Sequence, residues 1–106
     1  MKRQAGWNVP FSGGSNISLV KAAQAGRQHI VFSICVSIVS GTGVPAISIK
    51  DGSTTVWVGR MPDVVGGFFS YSFPKGLGIT RGNSCTLVTT KTSGNQDINI
   101  HGITQG

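Results

Sequence analysis

From residue 16 onward, apolar and polar residues alternate along the chain with a period of two, and the alternation is broken at intervals by Gly, Pro, Asn and Asp. Successive residues of a strand face opposite sides of the sheet, so this pattern predicts β-strands separated by turns. The longest spans residues 29–39. Ile30, Phe32, Ile34, Val36 and Ile38 share one face there, and His29, Val31, Ser33, Cys35, Ser37 and Val39 the other. The even-numbered face is expected to be core. Shorter strands are predicted over 16–20, 46–50, 54–60, 68–73, 84–92 and 97–104, with Asp51-Gly52 turning the second of these into the third as an antiparallel hairpin. Phe69, Tyr71 and Phe73 share a face, as do Cys85, Leu87 and Thr89, while Ile98 and Ile100 point inward.

The expected architecture is all-β: a jelly-roll-like antiparallel β-sandwich of about seven strands over residues 16–106. Residues 1–15 read differently. Pro10, Ser12, Gly13 and Gly14 break regularity around Trp7, Val9 and Phe11. An extended N-terminal arm is expected, lying either against an edge of its own domain or on a neighbouring subunit. Composition agrees with the fold class. Among 106 residues there are 16 Gly, three Leu and no Glu, which excludes helical bundles and coiled coils. One domain is the natural capacity of this length.

Charge bears on partners. Nine Lys and Arg against three Asp give a formal net charge of +6, which draws acidic partners without naming them. Apart from Lys2 and Arg3 the basic residues are dispersed, the usual sign of a solvated surface. No apolar run reaches the roughly 18 residues of a membrane span, and the start of the chain lacks the apolar stretch of a secretory signal. Synthesis in a cytoplasm is expected, with Cys35 and Cys85 as free thiols.

Candidate chemistry is sparse. Asp97 and His101 share a strand face but sit about 13 Å apart, and no nucleophile motif accompanies them. Cys35, Cys85, His29 and His101 hold the atoms of a zinc site without the spacing of one, and Asp51, Asp63 and Asp97 are scattered. Neither a phosphate-binding loop nor a dinucleotide glycine pattern occurs. No catalytic residue, cofactor or metal is expected, nor any small-molecule ligand or membrane. The order Cys35, Trp57, Cys85 resembles an immunoglobulin core, but Trp57 falls two strands after Cys35 and position 83 is Asn where that fold places Tyr. Lys75-Gly76-Leu77-Gly78-Ile79 resembles the cold-shock core with Leu77 and Ile79 in place of its aromatics, which makes single-stranded nucleic acid the least favoured partner.

The stretch from Leu19 through Lys21-Ala22-Ala23-Gln24-Ala25-Gly26-Arg27 to Val31, the hairpin at Lys50-Asp51-Gly52-Ser53-Thr54, and the strand Gly82-Asn83-Ser84-Cys85-Thr86-Leu87 together resemble small β-sandwich virion proteins of tailed bacteriophages. Capsid decoration (cement) proteins and tail-fibre domains are the members meant, and the arm of residues 1–15 departs from their pattern. The resemblance implies a trimeric component of the capsid surface that binds the major capsid protein and stabilises the shell. Lys2, Arg3, Trp7, Pro10 and Phe11 are the expected contact residues. The alternative is a receptor- or glycan-binding fibre domain, with Trp57, Asp63, Tyr71 and Asn95 as a sugar platform.

Overall fold

The structure, a computed structural model, describes residues 4–61 and 64–106. Eight strands follow in order: β1 (Gln4–Ser12), β2 (Asn16–Lys21), β3 (Gln28–Ile38), β4 (Ala46–Asp51), β5 (Thr54–Arg60), β6 (Phe68–Gly78), β7 (Cys85–Thr90) and β8 (Gln96–Gln105). They form two four-stranded sheets in the orders β1-β8-β3-β6 and β2-β7-β4-β5, with every pairing antiparallel. Strands adjacent in sequence mostly lie in different sheets or far apart in one. This is the double Greek key of an eight-stranded jelly roll. The domain is elongated, 47 × 23 × 19 Å.

The expected arm is a strand. Residues 4–12 pair along their whole length with β8, from Gln4 opposite Gln105 to Ser12 opposite Asp97. Of the two placements expected for the N-terminal arm, residues 4–12 take the first: they lie along an edge of their own domain, as a full strand of the first sheet, and the strand number rises from about seven to eight. Pro10 is tolerated because an edge strand has one partner only, so an N–H facing outward joins no ladder.

The core lies between the sheets and is built from Ile17 and Leu19 (β2), Val31, Ile34, Val36 and Ile38 (β3), Ile47 and Ile49 (β4), Cys85 and Leu87 (β7), and Ile98 and Ile100 (β8), with Met61 and Ile79 from the connections. Alternation places these residues correctly except at the start of β3. There His29 and Val31 are buried, whereas Ile30 and Phe32 stand on the outward side and are only half-buried. A register shift between Val31 and Ser33 inserts an extra residue against β8. One inserted residue inverts the facing of everything before it. Against β6 the break is larger, since Phe73 to Gly76 loop out opposite Phe32 alone.

His29, placed on the outer face by alternation, therefore sits wholly inside. Its Nε2 lies 2.8 Å from the Ala22 carbonyl oxygen and its Nδ1 2.7 Å from Thr104 Oγ1. A carbonyl can only accept, so Nε2 donates to Ala22, while Nδ1 shares its hydrogen bond with the Thr104 hydroxyl. The link ties the β2–β3 connection to β8.

Candidate interaction surfaces

The five residues expected to touch a partner separate. Lys2 and Arg3 lie outside the described residues. Trp7 belongs to its own domain: it packs partly buried against the core, edge-on to His29 at 5.9 Å, with Lys21 Nζ 5.5 Å from its ring centroid. Its cross-strand partner is Gly102, where a Cβ would come within 2.7 Å of the ring, so the absent side chain is what lets the indole lie down. Pro10 and Phe11 remain exposed at the far end of β1.

Phe11 marks an apolar end of the molecule. The β1–β2, β3–β4, β5–β6 and β7–β8 connections meet here, and around them Val39, Val44, Val64, Val65 and Phe68 are all exposed, Phe68 by 67%. Alternation could not find these residues, because most sit in loops. The available signal was compositional: loops that should be polar contain Val39, Val44 and the pair Val64-Val65.

The backbone beneath them is knitted together. Ile38 N–H donates to Gly67 O and Gly66 N–H to Ile38 O, which lays the β5–β6 loop against the end of β3. Val39 N–H donates to Asn95 O, Ser93 N–H to Thr42 O, Gly13 N–H to Gln96 O, and Lys91 N–H to Ser15 O. Gly41 and Gly94 cross so closely that a Cβ on either would collide with the other loop's backbone. Lys91, buried apart from a sliver, donates through Nζ to the carbonyls of Ser40 and Ser93. It is thus an exception to the solvated surface expected for the basic residues.

The opposite end is basic. Lys21, Arg27, Lys50 and Arg81 gather where β2, β4 and β6 hand over to the next strands. Asp51 is the acidic residue there, and it is occupied. Burial opposes its ionisation, but Thr80 Oγ1 (2.7 Å), Asn83 Nδ2 (2.9 Å) and Thr80 N–H (2.9 Å) all donate to the carboxylate and hold its pKa below the ordinary value. Arg81 Nη1 donates to Gly26 O, joining two neighbouring loops.

The other candidate constellations do not assemble into sites. Trp57 is half-buried among Phe69, Tyr71 and Phe73, with ring centroids 6.4, 5.2 and 5.7 Å away, and this cluster closes the gap between edge strands β5 and β6. Of the expected sugar platform only Tyr71 offers an exposed ring, Asn95 receives the Gly14 N–H at the far end, and Asp63 lies outside the described residues. In the cold-shock-like segment, Ile79 is buried and Leu77 packs on the core. Cys35 is half-exposed on the outward side of β3, while Cys85 is buried between the sheets, and both are free thiols. Among the described residues no three of His, Cys, Asp and Glu come together as metal ligands would.

No protein-family model matches the chain, and no curated protein does. Solved structures similar to the chain include the following two. One is a chain of the Bacillus endospore appendages, which form a novel family of disulfide-linked pili: the TM-score is 0.54 at 14% identity, over 98% of this chain and 86% of that one. The other is a chain of infectious bursal disease virus, Gx strain, with a TM-score of 0.46 at 16% identity, over 97% of this chain and 37% of that one. At 14% identity the likeness to the appendage chain is one of fold, and that fold is the jelly roll.

Proposed function

We propose that this protein is a structural component of a virion, a decoration protein that binds the outer surface of the capsid and stabilises the shell. The observation that carries the reading is the apolar end. Six large apolar side chains are exposed together, Phe11 and Phe68 at strand ends and Val39, Val44, Val64 and Val65 on connections held by backbone hydrogen bonds. An exposed apolar patch of this kind marks an interaction site. Because the described parts of its loops are tied by backbone hydrogen bonds, less conformational entropy is lost when a partner covers it. The fold is suited to such work, since a jelly roll also builds the appendage pili to which the chain is similar.

In this reading the major capsid protein is the partner, the protein acts by adhesion rather than catalysis, and it is assembled in the host cytoplasm as a trimer. The net charge of +6 steers it towards an acidic lattice, and the apolar end supplies the lasting contact. The test is co-sedimentation of purified protein with capsids that lack it, followed by imaging of the decorated shell. Val64→Asp with Val65→Asp is expected to lower retention at least tenfold while the melting temperature stays within about 5 °C, because surface changes seldom move stability by more than roughly 0.5 kcal/mol each. Equal retention of the double variant, or no retention of the wild type, would remove the reading.

A further inference from the structure

The basic residues are dispersed in sequence, but the fold gathers most of them. Four of the seven Lys and Arg among the described residues, Lys21, Arg27, Lys50 and Arg81, stand at one end of the domain, where its cross-section is 23 × 19 Å. Cross-strand pairing puts Lys21 and Asp51 on either side of Cys85, with Lys50 one residue behind Asp51, so the Lys21 and Lys50 backbones are about 10 Å apart. Gly82 N–H donates to Arg27 O at 2.8 Å and Arg81 Nη1 donates to Gly26 O, which brings the backbones of the two arginines together. Gly52 N–H donates to Ser84 O, tying the third connection at this end to the same loop as Arg81.

The groups that these cations meet are neutral. Lys21 Nζ lies over the Trp7 ring, and Arg81 bonds a carbonyl. Asp51, the carboxylate at this end, is engaged by Thr80 and Asn83, and among the described residues none of the four cations is paired with it or with any other carboxylate. A ring face or a carbonyl cancels no net charge. The cations are spaced at about the Debye length of physiological salt, ~8 Å, so their potentials reinforce one another. The other three basic residues do not join them: Lys91 is buried, Arg60 stands at the apolar end opposite Ala46, and Lys75 lies on the β6 irregularity.

We propose that this end is a binding surface for an anionic polysaccharide. The four cations hold its sulfate or carboxylate groups, and the polar side chains between them, Gln24, Ser53, Asn83 and Ser84, hydrogen-bond its hydroxyls. The chemistry favours a sugar polymer over single-stranded nucleic acid, whose binding sites combine cations with aromatic platforms for the bases. Trp7, the ring at this end, lies under Lys21, while the exposed rings of Phe11, Phe68 and Tyr71 stand at the apolar end or along β6. Hydrogen bonds among the three connections fix the backbone that carries the cations, so binding costs side-chain order alone. The inference goes beyond the capsid reading, since it concerns the opposite end of the molecule and its test contains no capsid.

Fluorescence anisotropy of a labelled heparin fragment titrated with the full chain decides it. Binding is expected at 50 mM salt and should weaken roughly 50-fold at 200 mM, the loss for four cation contacts at the slope known for single-stranded polyanions. Arg27→Gln and Lys50→Gln should each lower affinity about threefold or more, and the double variant R27Q/K50Q about tenfold or more. Arg60→Gln removes the same charge at the other end and should change affinity by less than about 1.5-fold. Circular dichroism and melting like those of the wild type would show that each variant is folded. Competition by polygalacturonate supports a carboxylate ligand and its failure a sulfated one, within the same class. A single-stranded oligonucleotide of equal charge should bind about tenfold more weakly. No heparin binding at 50 mM salt, Arg60→Gln as damaging as Lys50→Gln, or an oligonucleotide bound as tightly as heparin would each overturn the proposal. Loss of capsid retention with heparin binding intact would count against the decoration reading instead.

Discussion

Cys35 Sγ lies 3.9 Å from Ser70 Oγ on an outward face, whereas Cys85 is wholly buried. Burial, helped by the nearby Asp51 charge, pushes the Cys85 thiol up to about 12. In the unfolded chain the same thiol ionises near its ordinary value of roughly 8.5. Between those limits the folded state holds more protons than the unfolded one, so stability falls as pH rises, with a slope approaching about 1.4 kcal/mol per pH unit. Urea midpoints at pH 8 and pH 10.5 should drop for the wild type, and the drop should be smaller for Cys85→Ala. Equal drops would contradict the assignment. A disulfide reagent at pH 8 should likewise modify one thiol per native chain and the second after unfolding.

Strands were legible wherever alternation ran unbroken, as in β7 and β8, whose inward residues are those the pattern selects. Two elements were misread for local reasons. In β1 the alternation of Trp7, Val9 and Phe11 was present, but Gly6, Pro10 and the following glycines disguised it, and Pro is acceptable at a sheet edge. In β3 a single inserted residue reversed the facing of His29 to Val31, which a strict period of two cannot show. The apolar end was illegible to periodicity altogether, because it is assembled from four separate connections that only the topology brings together. The status of β1 changes what a truncation should do. Removing residues 1–12 strips β8 of a nine-residue partner and uncovers the core beside Trp7 and Val9. The shortened chain is expected to be insoluble, or to melt far below the full one, as an unpaired hydrophobic edge promotes aggregation. A soluble product with unchanged melting would show that β1 contributes little.

At the scale of the whole molecule the long axis is polar, with valines and phenylalanines at one end and Lys21, Arg27, Lys50 and Arg81 at the other. The proposed attachment through the apolar end would turn the basic end outward. Few of the stabilising contacts are local in sequence, because every sheet neighbour except β4 with β5 is reached by a crossover. Folding of such a topology falls in the millisecond-to-second range typical of β-sandwiches. Gln4 and Gln105 are opposite each other at the basic end, about a strand's width apart and about 40 Å from the apolar loops. Cargo fused to either terminus is therefore expected to ride clear of the shell and leave capsid retention unchanged, which a fluorescent protein appended at each end in turn would check. On the proposed docking, one apolar tip lies opposite Gln4 and Gln105, which gives the domain the layout of a display peg.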